Sequence, residues 1–380
     1  MTETAEATSP SKPGPIVLYG ASGFTGKLIA AELCARGLDF TLAGRSREKL
    51  DAVAAELARP QTVAAVALDD PAAVRSLLEP AAVVIGCAGP FTLHGRPLIE
   101  AAAATGTNYL DTTGEQPFIR DSFEVHGAAA EASGAALASG MGFDYAPGDM
   151  LAALVAAGLG RLREMTVAYA VRGFGPTRGT ALSALEMMSG GDLEWRDGSR
   201  RTAPRHVGEG RYEFPSPIGS RRVGRYPCGE TITVPRHVET DSMRCVIDLR
   251  GLTGMQLGPL SAPAMTLSGL LMVGPARRAA GKLISRMPEG PSERARGAVR
   301  FTVACEAETA DGRRRRGVVR GSDIYGLTAA IIAEGAARMA SPDYDRRSAL
   351  APAQAFDPES FLNALAPFGV SYELEEVRGR

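Results

Sequence analysis

The stretch Pro15-Ile16-Val17-Leu18-Tyr19-Gly20-Ala21-Ser22-Gly23-Phe24-Thr25-Gly26-Lys27 decides the fold. Ile16 to Tyr19 is a short apolar run that reads as a buried parallel strand. Gly20, Gly23 and Gly26 follow at three-residue spacing, and Lys27 to Leu33 then has helical periodicity, with Leu28, Ala31 and Leu33 near one face. Strand, tight glycine turn and helix form the context that a dinucleotide fingerprint requires. Gly20 lets the backbone turn, Gly23 lets it approach a pyrophosphate with no Cβ in the way, and Gly26 lets the helix sit close to its strand. The helix N-terminus then offers unpaired N–H groups and a positive dipole end to phosphates. Ala21, Ser22, Phe24 and Thr25 complete this candidate cradle. The spacing is GxxGxxG, a variant of the commoner GxGxxG.

The next strand ends in Phe40-Thr41-Leu42-Ala43-Gly44-Arg45-Ser46. An NAD site places Asp or Glu about 20 residues after the glycines, where it holds the ribose 2′-hydroxyl. Here Arg45 and Ser46 stand instead, with Arg45 25 positions after Gly20. A carboxylate would repel a 2′-phosphate, whereas Arg offers a bidentate fork and Ser a hydroxyl donor. The expected cofactor is therefore NADP(H). The alternative is an Arg45 that only caps a surface turn.

With 380 residues, 45% of them hydrophobic, 22% charged and a net charge of −1, the chain reads as an ordinary globular protein of two domains. Its five cysteines (34, 87, 228, 245 and 305) are scattered without a CxxC pair, and no signal peptide precedes them. They read as reduced thiols in a cytoplasmic protein. The four histidines (94, 126, 206 and 237) make no ligand-spaced cluster, so no metal site is expected. The near-zero total hides an asymmetry: residues 1–160 carry a net −8, residues 161–320 a net +11 and residues 321–380 a net −4. A basic middle segment suits an acidic partner, such as a CoA-type or carrier-protein-bound acyl substrate or an anionic lipid surface. No nucleic-acid motif accompanies the charge and aromatics are few, so no nucleic acid is expected.

Residues 1–13 read as a polar disordered tail. From Pro15, strands at 16–19, 40–43, 63–68, 82–85, 108–111 and 135–139 alternate with five helices, making a doubly wound Rossmann domain over 14–160. Its fourth strand runs into Gly86-Cys87-Ala88-Gly89-Pro90, whose small residues let the backbone approach a cofactor at the topological switch point. Cys87, Ala88, Gly89 and Pro90 therefore join the candidate cofactor site, with Cys87 as a packed small residue and not a nucleophile. After Gly160 the pattern changes. Met165–Val171, Thr231–Val234, Arg244–Arg250 and Phe301–Ala310 read as strands, and Asp311-Gly312 as a hairpin turn. With helices near 180–190 and 263–287 they make an α+β domain over 161–320, inserted in the first. Arg313 to Arg316 reads as a solvated hairpin tip. The expected return to the Rossmann domain is 321–380, through a long apolar helix from Tyr325 to Met339, a helix at 358–365 and a strand at 370–374.

Several motifs occur together and in order: the glycine turn, Gly44-Arg45-Ser46, Gly86 to Pro90, Tyr109-Leu110-Asp111-Thr112-Thr113-Gly114-Glu115 and Gly142-Phe143-Asp144-Tyr145-Ala146-Pro147. With Arg178 to Glu186, Pro288 to Ser292 and Tyr325 to Thr328, this series resembles the saccharopine dehydrogenase-like oxidoreductases over nearly the whole chain. The branch it is most similar to is the bacterial trans-acting enoyl reductases. That resemblance implies reduction of a carbon–carbon double bond on a polyketide or lipid-type acyl intermediate. The family commonly has Ser where this chain has Tyr145, so the resemblance gives Tyr145 no role.

In such a reaction hydride reaches the β-carbon of an unsaturated thioester or ketone, charge develops on the carbonyl oxygen and the α-carbon takes a proton. Groups that can assist must lie at the carboxyl ends of strands four to six: His94, Tyr109, Asp111, Glu115, Asp144 and Tyr145. Tyr145 and His94 are the best donors by chemistry, and Asp111 is the carboxylate candidate. Each has a structural alternative, and proton delivery from water would need no side chain. Two other readings stand beside enoyl reduction: a saccharopine-type amino-acid dehydrogenase acting at a C–N bond, and a non-catalytic NADP-binding sensor. Residues 263–287 pair an apolar run with Arg277, Arg278, Lys282 and Arg286. That stretch is too short to span a bilayer, which takes about 20 apolar residues. It suits an acyl-pocket mouth or peripheral contact with an anionic membrane, or a buried helix followed by a solvated one.

Overall fold

The computed structural model describes residues 12–187, 192–203, 208–250 and 275–377. Strand β1 (Ile16–Tyr19) is buried along its whole length and pairs in parallel with β2 (Phe40–Gly44) on one side and β4 (Val83–Gly86) on the other. With β3 (Thr62–Ala65), β5 (Asn108–Asp111), β6 (Ala136–Ala138) and the late β15 (Ser348–Ala349), they form a parallel sheet ordered β15-β6-β5-β4-β1-β2-β3. The order reverses at β1, so the cleft between the carboxyl ends of β1 and β4 is where a ligand belongs. Helix α1 (Phe24–Ala35) follows the glycine turn and ends at Gly37, whose φ of +72° suits a residue without a side chain. Helices α2 (Arg47–Glu56), α3 (Pro71–Leu78), α4 (Phe91–His94), α5 (Arg96–Thr105), α6 (Gln116–Asp121) and α7 (Gly127–Ser133) complete the crossovers. A π-helical turn at Ser122–His126 joins α6 to α7.

After α8 (Ala146–Ala156) the chain enters a mixed sheet ordered β10-β11-β12-β7-β13-β14-β16, with the β8/β9 hairpin attached to β12. Its centre is β7 (Leu162–Arg172), parallel to β12 (Thr240–Asp248) and antiparallel to β13 (Arg300–Thr309). Around it lie β8 (Leu193–Arg196), β9 (Ser199–Thr202), β10 (Gly208–Phe214), β11 (Gly219–Arg225) and β14 (Arg314–Ser322). Helices α9 (Arg178–Met187), α10 (Glu230–Thr233), α11 (Pro275–Ile284) and α12 (Glu293–Ala298) pack around this sheet. One apolar core runs from Leu18 and Ile29 through Leu151 and Val155 of α8 to Val303 and Val319. Burying each such side chain contributes about 1.5–3 kcal/mol, and a core shared in this way holds the two sheets together.

Helix α13 (Ile324–Met339) is buried on most of its surface and docks on the first sheet. Tyr325 meets the Phe24 ring edge-on at 5.5 Å, Arg36 pairs with Glu334 at 2.6 Å, and Asn108 Nδ2 donates to the Met339 carbonyl at 3.0 Å.

Several expectations are corrected. The C-terminal strand does not rejoin the Rossmann sheet: β16 (Ser371–Val377) pairs antiparallel with β14. Cross-strand charge explains the choice: Arg315 meets Glu376 at 2.7 Å and Arg320 meets Glu373 at 2.5 Å. The arginine run is accordingly no free hairpin tip, since Arg314 to Arg316 sit in β14 and pair with Glu306, Glu308, Glu375 and Glu376. Thr231 to Val234 is helical and not extended, because all four side chains are buried where a half-buried strand would alternate, and Pro235 cannot donate to a ladder. Lys12 is docked within the supposed tail, its Nζ donating to the carbonyls of Leu78 and Thr105 and to Thr107 Oγ1. Cys228 and Cys245 are not separate reduced thiols but are joined as a disulfide, their Cα atoms 6.4 Å apart. Of the 263–287 stretch, residues 263–274 lie outside the described residues; α11 begins at Pro275. Among the described residues no helix is long and apolar enough to cross a membrane.

Candidate functional site

Gly20 has φ +89° and its N–H donates to the Ala43 carbonyl at 2.9 Å. A Cβ there would come within 2.8 Å of the Cys87 carbonyl carbon and 2.9 Å of the Ala88 nitrogen. The glycine turn and the loop after β4 are thus packed backbone to backbone across the switch point. A Cβ on Gly26 would overlap the Gly20 carbonyl oxygen, so α1 can start this close to its strand only with glycine there. Gly23 caps α1 without a side-chain hydrogen bond, and no acidic residue stands in the first turn. The first N–H groups of α1 therefore face the cleft uncapped and unopposed by negative charge, the arrangement that binds a pyrophosphate. Ala21 is fully buried, Ser22 and Thr25 are half-buried at the rim, and the Phe24 ring leans onto Tyr325.

Arg45 is exposed at the carboxyl end of β2, and none of the described residues gives it a hydrogen bond or ion pair. Its guanidinium is open to solvent at that strand end. The Ser46 hydroxyl accepts from Lys49 N at 3.4 Å and caps α2, which leaves its own proton to donate outward. Cys87 N donates to the Tyr19 carbonyl at 2.8 Å. Burial, and next the charge of Asp111, push the Cys87 thiol well above the usual range, so it is no thiolate nucleophile. Ala88, Gly89 and Pro90 follow in the same loop, with the Gly89–Pro90 bond cis.

Two carboxylates fasten the loops around this cleft. Glu115, 1% exposed, accepts from Phe91 N and Ser183 Oγ on Oε1 and from Thr92 N and Thr92 Oγ1 on Oε2. It caps the start of α4 and ties that start to α9 of the second sheet's domain. Asp111 is 0% exposed, and its Oδ1 accepts from Thr113 N and Gly140 N, both at 2.9 Å. Burial raises its carboxyl to about 6, against the opposing effect of those amides. Because the folded state holds the proton more tightly, this contribution to stability is full below the ordinary value of 3.8 and is lost as pH rises through about 6. Melting curves of Asp111→Asn should therefore lose part of the stability that the wild type gains between pH 7 and pH 4. Asp111→Ala strands two buried amides and should cost about 2–6 kcal/mol at any pH. An alanine variant as stable as wild type would contradict this loop-fastening role.

The three residues singled out for proton chemistry do not converge. His94 is exposed at the end of α4, and Asp111 lies buried beneath the loops. Tyr145 is 2% exposed, and its hydroxyl donates to the Gly114 carbonyl at 2.6 Å. Beside it stand residues that the sequence reading missed. The Tyr226 ring stacks on Tyr145 with centroids 6.4 Å apart and meets Tyr169 edge-on at 5.3 Å. Tyr169 donates to Glu230, a fully buried carboxyl that burial drives well above its ordinary range. Asp144 is likewise raised by burial, to about 6. Of the three tyrosines only Tyr226 is partly exposed. Arg178 is the other missed residue: it opens α9, its N–H donates to the Glu289 carbonyl, and its buried Nε has no partner. Glu289 also pairs with Lys27 of α1 at 2.8 Å, so this guanidinium stands near the cofactor helix.

This geometry defines a dinucleotide-binding domain joined to a second domain that faces it across the cleft. Residues 16–137 match the family model of the saccharopine dehydrogenase NADP binding domain. Its cofactor is NADP(H). A trans-acting enoyl reductase of Mycobacterium leprae (strain TN) is 41% identical over 140 residues, covering 36% of this chain and 34% of that protein. A protein of Mycobacterium tuberculosis (strain ATCC 25618 / H37Rv), also named for trans-acting enoyl reduction, is 38% identical over 186 residues, 46% of this chain and 44% of its own length. The chain thus spans less than half the length of these relatives. The apo saccharopine dehydrogenase (L-Glu forming) of Saccharomyces cerevisiae superposes with a TM-score of 0.58 at 15% identity, over 96% of this chain and 100% of that one. That likeness shows a shared fold over both domains.

Proposed function

We propose that this chain is an NADPH-dependent oxidoreductase that reduces a carbon–carbon double bond conjugated to the carbonyl of an apolar acyl thioester. The observation that carries this reading is a cluster of phenols with one partly exposed member: Tyr226 stacks on Tyr145 and meets Tyr169, which donates to the buried Glu230. A phenol held at the edge of such a cluster offers a positioned proton donor, which suits a neutral substrate on which charge appears only in the transition state. The enoyl substrate is supported by the names of the mycobacterial relatives.

Bound NADPH would supply the hydride. The chain's own residues hold it and finish the reaction. The N–H groups at the start of α1, with Arg178 across the cleft, take the pyrophosphate, and Arg45 with Ser46 takes the 2′-phosphate. Gly20, Gly23 and Gly26 keep that approach free of side chains, while Cys87 to Pro90 flank the path to the nicotinamide end. Tyr226, as the partly exposed phenol, donates the proton that the α-carbon takes up, and Tyr145 positions it by stacking. Asp111 acts on this site only by holding the loops, and His94 takes no part. A carrier protein or CoA bearing the acyl group would meet the exposed Arg278, Lys282 and Arg286 on and after α11. The same basic side chains would serve a peripheral contact with an anionic membrane.

The unpartnered Nε of Arg178 favours a second reading, in which it holds the carboxylate of an amino-acid substrate. One assay separates the two. Purified protein with NADPH is offered trans-2-enoyl thioesters of increasing chain length, and separately an α-amino acid with an aldehyde. Consumption of NADPH with long enoyl thioesters alone supports the proposal. Consumption with the amine and aldehyde alone overturns it in favour of the dehydrogenase, and tight NADPH binding without turnover of either favours the sensor.

A further inference from the structure

Among the described residues a single group of three metal-capable side chains comes together: Cys228, Glu230 and Cys245, whose ligand atoms all lie within 4.8 Å of one another. Cys228 and Glu230 flank the turn into α10, and Cys245 lies in β12 beside them. All three are buried, at 0%, 0% and 4% exposure. The Glu230 carboxyl is occupied on one side only: Tyr169 donates to Oε1, while Oε2 is buried with no partner. An orphaned carboxyl oxygen of this kind is costly and calls for an explanation. Its neighbour Gly148 has no side chain, and a Cβ there would overlap both Glu230 Oε1 and the Tyr169 hydroxyl, so the local packing admits this carboxyl only in this place.

We propose that Cys228, Cys245 and Glu230 form a reduction-dependent site for a thiolate-preferring divalent cation of the Zn²⁺ class. In the structure the two sulfurs are bonded to each other, which closes the site. A dithiol reduces the disulfide to two thiols by giving two electrons and two protons and closing to its own disulfide. A phosphine gives the two electrons and becomes the phosphine oxide, with water supplying the oxygen and the two protons. Binding of the cation then displaces the two thiol protons, and the carboxyl binds as the carboxylate, leaving three anionic ligands around a charge of +2. Two sulfurs and one carboxylate oxygen suit a tetrahedral, borderline-soft ion, with water in the fourth position. Tyr169 becomes the partner that orients the ligating carboxylate from behind, as such groups do in metal sites. The site would fix the Tyr226–Glu230 loop to β12 when the disulfide is absent, doing in a reducing compartment what the disulfide does in an oxidising one.

The test needs no substrate. Full-length protein reduced with a phosphine and desalted without oxygen is titrated with Zn²⁺ against a chromophoric chelator, and with Co²⁺ as a spectroscopic probe. The reduced wild type should bind one equivalent and give a thiolate-to-Co²⁺ charge-transfer band, whereas the oxidised protein should do neither. Cys228→Ser should abolish the band, and Glu230→Gln should weaken Zn²⁺ at least 10-fold. NADPH titration of each variant shows that it is folded; Cys245→Ser replaces Cys228→Ser if that one is not. Reduced wild type that binds no stoichiometric Zn²⁺ would overturn the proposal, as would binding untouched by both substitutions, which would place the ion on Cys34, Cys87 or Cys305.

Discussion

Arg45→Ala lowers NADPH affinity by about 10- to 100-fold and leaves NADH binding nearly unchanged. The size follows from losing charge-assisted hydrogen bonds worth about 1.5–3 kcal/mol to a group that only NADP(H) carries. The sign of the selectivity follows from position: Arg45 directly follows β2, has no hydrogen-bond or ion-pair partner among the described residues and has no carboxylate beside it in the sequence Gly44-Arg45-Ser46. Because the side chain is exposed, its removal leaves no buried hole and stability should not change. Fluorescence titration with both nucleotides is the check. Arg178→Ala is the contrasting variant, since a pyrophosphate partner is common to the two nucleotides and both should weaken together. Equal loss of NADH and NADPH in Arg45→Ala would remove the 2′-phosphate from its role.

Tyr226→Phe lowers kcat for an enoyl thioester by about 10²- to 10⁴-fold while KM and NADPH affinity stay close to wild type. That range is what a positioned general acid contributes. The ring remains, so its stacking on Tyr145 and its edge contact with Tyr169 are kept, and only the proton donor is lost. Tyr145→Phe should cost less, because its hydroxyl serves the Gly114 carbonyl and the ring is what supports Tyr226. A Tyr226→Phe enzyme with wild-type kcat would mean that water delivers the proton. Equal losses in both variants would mean that the pair acts as one unit and that the assignment of roles is wrong.

Local chemistry made the first domain readable. A strand followed by three spaced glycines and a periodic helix has one packing solution, and each glycine of the turn has a visible reason in the backbone contacts of Gly20 and Gly26. Asp311-Gly312 likewise announced the β13–β14 hairpin. What stayed hidden depends on long-range pairing. Nothing near residue 371 says that β16 will choose β14; the choice lies in Arg315 and Arg320 meeting Glu376 and Glu373 across the strands. Thr231 to Val234 alternates like a strand, and only its burial on every side and the following proline make it a helix. Tyr226 escaped notice for a related reason. It carries no motif, and tertiary structure alone brings it to Tyr145, 81 positions earlier in the chain. The one available signal was a tyrosine in the loop Tyr226-Pro227-Cys228-Gly229, since loops carry a disproportionate share of functional residues. Cys228 and Cys245 were just as silent, being 17 positions apart without a recognisable spacing.

The central claim, hydride transfer from NADPH to the β-carbon of an enoyl thioester, is tested most directly by isotope placement. NADPH deuterated at nicotinamide C4 is incubated with the protein and a long-chain trans-2-enoyl thioester, and the product is analysed by mass spectrometry and NMR. The account predicts a saturated acyl product carrying one deuterium at the β-carbon, and in heavy water with ordinary NADPH one deuterium at the α-carbon. Deuterium recovered on a carbon bonded to nitrogen, when an amino acid and an aldehyde are supplied, with none in the acyl chain, would contradict it.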